Sequence, residues 1–320
     1  MKYTGPITAA LFAASLALPL SASATDLGAA NNFNAFIFNN ATAPNGHADG
    51  AVAVGGDWTN MGYTVTQQAL EPTLGTDTKI GIYLKGNLSL SGSATANSNS
   101  NVYVQGTVNK NGNNFNLNGG SLLNQPLSDP GVFTSQLTYS SAQANYLSTL
   151  TGSSINMSDP NNWKIDGGNL TNTLEVFNVA GNQLGNNVTL NLSNFASSDT
   201  LLLNVTGGGS LDYNVQVNGF SDSKILWNFG KASTINVNRQ FDGSLLGYDA
   251  TVNQYANIQG TLIANNWNVY NSSEIHFGNG LTFTGNVPPP PAVPEASSVF
   301  GLASLLTVCG VSIRRKRHTA

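Results

Sequence analysis

The sequence predicts a mainly β protein: a β-solenoid (β-helix-like) body with one accessory α-helix near residues 130–150. Its strand-like segments are short, Gly and Asn separate nearly all of them, and they lack the regular hairpin spacing of a sandwich. In a solenoid, short strands stack coil on coil, turns fall at Gly and Asn, and Asn side chains form ladders along the stack. Because no strict repeat period is visible, a two-sheet β-sandwich stays open as the alternative.

Two kinds of segment support this prediction. One segment has apolar residues on three-to-four spacing, with Asp129 placed as an N-cap and Pro130 at the first helical position. We predict a single helix over 130–150, ended by Gly152, which either caps an end of the solenoid or lies along one side. The clearest strand segments cover 79–84, 88–90, 101–104, 188–192, 201–205, 214–217, 224–229 and 234–237.

Composition restricts the partners of this chain of 320 residues. It contains 44 Asn but only 12 Lys and Arg, which disfavours a nucleic-acid binder because such proteins need a basic face. The body, residues 25–286, holds seven Lys and Arg against 15 Asp and Glu, so anionic polymers would need a bridging divalent cation. The single cysteine, Cys309, lies beyond the body, which therefore folds without disulfides.

The N-terminus reads as a signal peptide over residues 1–24. Lys2 precedes an apolar stretch over 7–20, and Ala22 and Ala24 supply the small-x-small pattern that a signal peptidase accepts. We predict cleavage after Ala24 and export of the body. An N-terminal membrane anchor is the weaker reading, because the apolar stretch is short and interrupted by proline.

The C-terminal tail, residues 293–320, has three features in a fixed order. They are the tripeptide Val293, Pro294 and Glu295, an apolar run over 299–313, and the basic cluster Arg314, Arg315, Lys316 and Arg317. As a helix the apolar run would be about 22 Å long, which is marginal for a permanent anchor. The basic cluster would hold its end on the cytoplasmic side.

This order resembles the PEP-CTERM sorting signal of Gram-negative bacteria that make exopolysaccharide, although Ala296 replaces the second proline. The resemblance implies an inner-membrane-anchored precursor and recognition by an exosortase-type processing enzyme. It also implies removal of the tail near Pro294 and Glu295, followed by release or transfer to the cell surface or extracellular matrix. A plain transmembrane anchor is the alternative.

The body precedes a Pro-rich linker over 287–292, in which a proline run favours a semi-rigid polyproline II spacer. Three segments of the body resemble the choice-of-anchor A family of bacterial surface proteins: 33–36 (FNAF), 50–57 (GAVAVGGD) and 260–264 (GTLIA). One departure is Gly247-Tyr248, where that family often has Ala-Pro. The resemblance implies a secreted, β-rich surface domain over 25–286 with no established catalytic activity.

The segment 50–57 also has a purely structural interpretation. Ala51 and Ala53 give a strand one thin face, onto which another backbone can pack closely. Gly55 and Gly56 are expected to form a tight turn with positive φ, and Asp57 to accept backbone N–H groups there.

The usual motifs of zinc proteases, dithiol redox proteins, α/β-hydrolases and P-loop enzymes are absent, so we predict no catalytic residues. His47 with Asp49 and Asp57 comes nearest to a ligand cluster, and Glu274 with His276 forms a second pair on one strand face. No cofactor is predicted. Calcium is considered, with the candidate metal ligands Asp49, Asp57, Asp242 and Asp249, although turn formation explains these residues more simply.

Aromatic side chains offer another route to function. The candidates for a sugar-stacking surface are Tyr248, Tyr255, Trp267 and Tyr270, which fall in or beside Asn-rich turns, with core filling as the alternative. The sequence thus predicts an exported, non-enzymatic cell-surface or exopolysaccharide-matrix protein. The alternatives are an adhesin for a specific carbohydrate or surface protein, and a polysaccharide-active enzyme.

Overall fold

The computed structural model describes residues 27–68, 72–169, 173–277 and 282–291. The predicted signal peptide, with Ala22 and Ala24, and the tail from Val293 onward lie outside these ranges and stay predictions. Within these ranges, no helix has the length and apolar character needed to cross a bilayer.

The described residues form 27 β-strands. In chain order they are β1 (Ala35–Ile37), β2 (Ala41–Ala43), β3 (Gly46–His47), β4 (Val52–Val54), β5 (Trp58–Met61), β6 (Tyr63–Val65), β7 (Ile80–Leu84), β8 (Leu88–Gly92), β9 (Ala94–Ala96), β10 (Asn101–Val104), β11 (Val108–Asn109), β12 (Phe115–Asn116), β13 (Leu122–Asn124), β14 (Ser153–Ser154), β15 (Asn162–Asp166), β16 (Leu174–Ala180), β17 (Val188–Ser193), β18 (Thr200–Thr206), β19 (Gly209–Tyr213), β20 (Val215–Asn218), β21 (Ile225–Asn228), β22 (Ala232–Val237), β23 (Phe241–Asp242), β24 (Ser244–Gln254), β25 (Ile258–Gln259), β26 (Leu262–Val269) and β27 (Ile275–His276).

The predicted helix is present as α1 (Val132–Leu147), shorter at both ends than expected. Its N-cap is Gly131, without a side-chain hydrogen bond, so the expected capping by Asp129 is wrong. Asp129 instead lies in the preceding turn, where its N–H donates to the Tyr83 hydroxyl at 3.0 Å. Short 3-10 helices cover Gly28–Asn32, Gly167–Asn169, Gly181–Gln183 and Asp222–Lys224.

The strands stack in parallel, coil upon coil. Every pairing between the named strands is parallel, for example Val176 with Leu202 and Leu202 with Leu226 along three successive coils. A sandwich is built from antiparallel hairpins, so this pairing confirms the β-solenoid and rules out the alternative for the described residues.

The solenoid has three faces, which we call the helix face, the polar face and the third face. The helix face stacks β13, β10, β7, β4, β1, β26, β24, β21, β18, β16 and β14. The polar face stacks β11, β8, β5, β2, β26, β24, β22 and β19. The third face carries β12, β9, β6 and β3, then β27, β25 and β23, and also β20, β17 and β15.

The coils do not follow chain order along the stack. The first coil, β1 to β3, lies between the second coil and the last one, because β1 pairs with both β4 and β26. Phe36 is therefore level with Ala53 on one side and with Ile263 on the other. The N-terminal and C-terminal halves of the body thus meet in the middle of the stack.

Two apolar clusters hold the fold together. The larger fills the inside of the coils and contains the fully buried Trp58, Trp227 and Trp267. The smaller lies between the helix face and α1, where the Phe133 and Phe36 rings are 5.3 Å apart. Helix α1 therefore lies along one side of the solenoid, which is one of the two positions expected for it, and covers apolar strands there.

The segment around β4 matches its expected thin face, since Ala51 and Ala53 belong to the cluster under α1. The reason expected for Gly55 and Gly56 is wrong, because neither has a positive φ in the structure. Both are needed for close packing instead. A Cβ on Gly55 would lie 2.3 Å from the Phe38 carbonyl oxygen, and one on Gly56 would lie 2.4 Å from Asn40 Oδ1.

Candidate functional site

Two rows of polar side chains run along the outside of the polar face. Along each strand, alternate residues point outward, so the outward residues of successive coils stack into rows. The first row contains Ser210, Thr234, Thr251, Asn266, Asn40, Asp57, Asn87 and Thr107. The second row contains Asp212, Asn236, Asn253, Asn268, Thr42, Thr59, Ser89 and Asn109.

The second row contains a ladder of side-chain amides. Asn268 Nδ2 donates to Asn253 Oδ1 at 3.1 Å, and Asn253 Nδ2 donates to Asn236 Oδ1 at 2.9 Å. Asn236 Nδ2 completes the ladder by donating to Asp212 Oδ1 at 2.8 Å. The amide ladder predicted for a solenoid is therefore present, and it fixes the orientation of each amide in the row.

The first row is linked by bonds from backbone to side chain. The backbone N–H of Asp57 donates to Asn40 Oδ1, that of Asn87 to Asp57 Oδ1, and that of Thr107 to Asn87 Oδ1, each at 2.8 Å. Asp57 thus accepts a backbone N–H, as expected, but from the next coil rather than from its own turn. These hydrogen bonds hold the Asn40, Asp57 and Asn87 side chains of the first row in fixed orientations.

The chemistry of the two rows is uniform. All sixteen side chains are Ser, Thr, Asn or Asp, none is buried, and no Lys, Arg or apolar residue interrupts them. Neighbouring coils are about 4.8 Å apart and alternate residues about 6.6 Å apart, so the rows form a regular array of hydrogen-bonding groups. Such an array suits a ligand that is itself extended, hydrated and repetitive.

Two of the four predicted aromatics lie beside these rows. Tyr255 and Tyr270 follow Asn253 and Asn268 by two residues and are 37% and 40% exposed. Their rings stack on each other with centroids 4.6 Å apart and planes 12° apart. The structure therefore brings these two tyrosines together as an exposed aromatic pair next to the second row.

The other two aromatics are placed differently. Trp267 is fully buried in β26 and donates from Nε1 to Gln254 Oε1 at 2.9 Å, so the expectation that it lies in an exposed turn is wrong. Alternation turns Trp267 inward because its neighbours Asn266 and Asn268 occupy the outward positions. Tyr248 is half-buried and packs against the cluster under α1.

A second polar cluster joins the first and last coils on the third face. Ala48 of the first coil forms a parallel bridge with Ile275 of β27, and both are fully buried. Alternation then directs the residues on either side of each to the outside. These four residues are His47 and Asp49, from the predicted cluster with Asp57, and the predicted pair Glu274 and His276; of the four, the Asp49 side chain is buried.

The four side chains form a closed ring of contacts. His47 Nδ1 is 3.0 Å from Glu274 Oε1, and His276 Nε2 is 3.2 Å from Glu274 Oε2. On the other side, His47 Nε2 is 3.4 Å from Asp49 Oδ1, and His276 Nδ1 is 3.4 Å from Asp49 Oδ2. Each imidazole thus faces one carboxylate with each of its two nitrogens.

The two carboxylates of this ring differ in burial. The Asp49 side chain is 5% exposed, whereas that of Glu274 is 32% exposed. The hydrogen bond with Asp49 raises the pKa of His276, against the effect of burial. Burial acts to raise the pKa of Asp49, but its bonds with His276 and the Phe277 N–H outweigh burial and lower that pKa.

The other predicted metal ligands do not join this ring. Asp57 belongs to the polar face and bonds to Asn87, not to His47. Asp242 is buried beside Val217 and Gln240, where burial raises its pKa, and Asp249 is exposed beside α1. Among the described residues the four aspartates therefore form no common calcium site.

The sequence contained a signal for the polar face that our interpretation missed. The pattern Thr/Asn-apolar-Asn recurs along the chain, and three of its occurrences are 234–236, 251–253 and 266–268. These three segments are neighbours in β22, β24 and β26. The unequal spacing between the three segments hides the repeat, because the turns between coils differ in length.

Fold and polar rows together define a β-solenoid with one extended face of neutral and acidic hydrogen-bonding side chains. Residues 26–277 match the family described as "Putative Ice-binding-like adhesive domain". Because this match spans most of the chain, the protein belongs to that family. The family is described by adhesion rather than by a reaction, and the match lends no support to the choice-of-anchor A resemblance. No curated protein matches the chain.

Three solved structures to which this chain is similar are ice-binding proteins. A domain of an ice-binding protein from Shewanella frigidimarina has 15% identity and a TM-score of 0.40, covering 80% of this chain and 98% of that one. An ice-binding protein from an Arctic yeast has 11% identity and a TM-score of 0.36, covering 84% and 97%. One from an Antarctic Flavobacteriaceae bacterium has 12% identity and a TM-score of 0.29, covering 79% and 97%.

Proposed function

We propose that this protein is an exported, non-enzymatic adhesive protein that binds extracellular polysaccharide through its polar face. One observation carries the proposal: sixteen outward Ser, Thr, Asn and Asp side chains stand in two continuous rows without a cation or an apolar residue. The description of its family as an adhesive domain supports the same class of function.

The chemistry of the rows favours a neutral, hydroxyl-rich ligand. Amides and hydroxyls both donate and accept hydrogen bonds, and so can pair with sugar hydroxyls in either direction. The carboxylates of Asp57 and Asp212 would repel an anionic polymer, and no Lys or Arg in the rows attracts one. A neutral polysaccharide chain laid along the rows would meet equivalent groups on successive coils.

The exposed tyrosine pair favours a sugar over other hydroxylated surfaces. Tyr255 and Tyr270 present apolar ring surface directly beside the second row of hydrogen-bonding groups. Sugar rings have both apolar C–H patches and hydroxyls, so they can use the rings and the row together. We expect the tyrosine pair to form the edge of the binding surface that lies beyond the second row.

The test is cosedimentation of the purified body, residues 25–286, with insoluble cellulose and with exopolysaccharide from the producing cells. The variants Thr251→Lys and Asn253→Lys place a long cation in the middle of each row. Asn191→Lys introduces the same side chain on the third face as a matched control. We expect both row variants to reduce binding at least tenfold and the control variant to bind like the wild type.

Two results would contradict this assignment. Equal loss of binding in all three variants would mean that added charge, and not the polar face, matters. Unchanged binding in both row variants would place the contact surface elsewhere on the solenoid.

Ice is the second candidate ligand, favoured by the description of the family as ice-binding-like. Ice too is an extended and repetitive surface of hydrogen-bonding groups. Growth of ice crystals in the presence of the wild type and Thr251→Lys tests this alternative. Slower recrystallisation with the wild type alone, together with no binding to polysaccharide, would favour ice.

We further propose that residues 293–320 act as the sorting tail of an inner-membrane precursor processed by an exosortase-type enzyme. The support is the order of Pro294 and Glu295, the apolar run and the basic cluster. Intact mass of protein from cells and medium, compared with a Pro294→Ala, Glu295→Ala double variant, tests this. A species starting at Thr25 and ending near Glu295 is expected from the wild type only. Full-length protein retained in the membrane in both cases would rule out sorting.

A further inference from the structure

The ring of His47, Asp49, Glu274 and His276 is not used by the polar face, since it lies on the third face. It unites residues that are distant in sequence: Asp49 accepts from the Phe277 N–H, 228 positions away. One ligand atom each from His47, Glu274 and His276 can be chosen so that all three lie within 4.8 Å of one another. Two imidazoles and a carboxylate at this distance are a donor set for a transition metal.

We propose that His47, Glu274 and His276 bind Zn²⁺ and that Asp49 positions the two histidines for it. His47 Nδ1 and His276 Nε2 both face the Glu274 carboxylate, so these three groups can converge on one ion. Ligands about 2.0–2.1 Å from a tetrahedral ion lie about 3.3 Å from each other. The distances of 3.0 Å from Glu274 Oε1 to His47 Nδ1 and of 3.2 Å from Glu274 Oε2 to His276 Nε2 are close to this separation, and each histidine faces its own oxygen of the carboxylate.

The position of Asp49 supports this division of roles. It contacts the opposite nitrogen of each ring, His47 Nε2 and His276 Nδ1, leaving the other nitrogen of each directed at Glu274. A carboxylate that accepts the N–H of a metal-bound histidine fixes the tautomer and the ring orientation. The other bonds of Asp49, from Gln68 Nε2 and the Phe277 N–H, hold it in place for this task.

Accessibility is compatible with loading from solution. The side chains of His47, His276 and Glu274 are 23%, 25% and 32% exposed, whereas Asp49 lies beneath them. Three protein ligands leave a fourth position of the ion for water or for an oxygen of a bound molecule. The donor set is unlike that of calcium, which takes six to eight oxygen ligands.

The site would clasp the first coil to the last. His47 belongs to β3, and Glu274 and His276 belong to the last coil at β27, so a bound ion links strands from the two ends of the body. We therefore expect Zn²⁺ to stabilise the folded body, since an ion that binds only the folded state shifts the folding equilibrium. Zn²⁺ binding at this ring does not depend on what the polar face binds.

The experiment uses the body, residues 25–286, and its full-length form, both dialysed against EDTA and then titrated with Zn²⁺. Calorimetry gives the stoichiometry and affinity, and thermal unfolding gives the shift in Tm. We expect about one Zn²⁺ per chain and a higher Tm, and with Co²⁺ in its place a visible absorption typical of tetrahedral coordination.

Three variants separate the roles. His47→Gln and Glu274→Gln each remove one ligand but keep a polar side chain, and should weaken Zn²⁺ binding by more than about 100-fold. Asp49→Asn keeps the shape of the side chain and all three ligands, and should weaken binding by about 10–100-fold. Asp159→Asn, in the exposed turn before β15, is the control and should bind like the wild type. The Tm of each variant in EDTA checks that it is folded.

Three results would contradict the Zn²⁺ site. A wild type that takes up no Zn²⁺, or whose Tm does not change with it, would show that the ring is only a network of ion pairs. Binding retained by folded His47→Gln and Glu274→Gln would place the ion elsewhere. A preference for Ca²⁺ over Zn²⁺ would overturn the assignment of the ligands.

Discussion

The Asn34 side-chain amide donates to the Gly260 carbonyl oxygen at 2.9 Å and so ties the first coil to the last. Its other atom, Oδ1, accepts the N–H of Gly50 at 3.0 Å, in the second coil. Asn34 is fully buried. One side chain therefore connects three neighbouring coils where the two halves of the body meet.

The substitution Asn34→Leu should destabilise the body by about 2–4 kcal/mol. It leaves the buried Gly50 N–H without its partner and removes a partner of the Gly260 carbonyl, at a cost of about 1–3 kcal/mol for each such group. Urea unfolding monitored by tryptophan fluorescence measures the change. The same substitution at exposed Asn114 is the control and should change stability by less than about 0.5 kcal/mol.

Two other asparagines, Asn204 and Asn228, hold the C-terminal end of helix α1. Asn228 Nδ2 donates to the Ala144 carbonyl oxygen and to Asn204 Oδ1, both at 2.9 Å, and Asn204 Nδ2 donates to the Leu147 carbonyl oxygen at 2.8 Å. We expect Asn228→Asp to cost more than Asn228→Ala, because the carboxylate would face two acceptors in a buried position. The free energy of unfolding at about pH 7 distinguishes them. A smaller loss for the aspartate variant would show that Asn228 matters only by its volume.

Gly55 should tolerate no side chain. In Gly55→Ala the added Cβ would meet the Phe38 carbonyl oxygen at 2.3 Å, and this backbone oxygen cannot move without shifting β1 from its neighbours. We expect a loss of more than about 2 kcal/mol. Gly131→Ala is the matched control, since its Cβ would meet only Asp129 Oδ1 at 3.5 Å. Similar Tm values for the two variants would contradict this reading of Gly55.

The carboxyl of Asp222 should make the stability of the body depend on pH. Burial, with a smaller effect from Asp242, raises the pKa of Asp222 to about 6 in the folded protein. The unfolded chain has a pKa of about 3.9, so the folded state binds the proton more tightly. The contribution of Asp222 is therefore most favourable below about pH 4 and is lost as pH rises through about 6.

The variant Asp222→Asn tests this contribution. It should be more stable than the wild type by about 1 kcal/mol at neutral pH, a figure reduced for the partial exposure of the carboxyl, and should lose the advantage near pH 4. Urea unfolding at about pH 4 and pH 7.5 measures the difference. An advantage of equal size at both pH values would mean that the effect does not arise from titration.

The sequence was sufficient for the fold class and for the positions of its clearest strands. The eight predicted strand segments all contain observed strands, because apolar alternation in short runs depends only on which side chains face the core. It was insufficient for the limits of α1. Its N-terminus depends on the contact between Asp129 and Tyr83, 46 positions apart, which no local pattern contains.

The candidate sites depend still more on the order of the coils. His47 was grouped with Asp49 and, wrongly, with Asp57, and Glu274 with His276 formed a separate pair. Nothing local indicates that the first and last coils are neighbours. For the same reason Thr42 and Thr59 did not stand out, since they join the row of Asn253 and Asn268 only through the pairing of β2 with β26. Trp267 was misplaced because its Asn-rich surroundings are an outward strand face and not a turn.

The chain enters and leaves this solenoid along its flank, away from both tips. The first coil lies in the middle of the stack, and the last described segment passes over β18 and β21, where the Asn286 N–H bonds to Thr200 and Phe283 is buried against the helix face. A tether attached beyond residue 291 would therefore be joined to the body on the side that carries α1. Pulling on it loads coils on both sides of the attachment at once, instead of peeling the stack from one end, and leaves the opposite flank free to lie along whatever it holds.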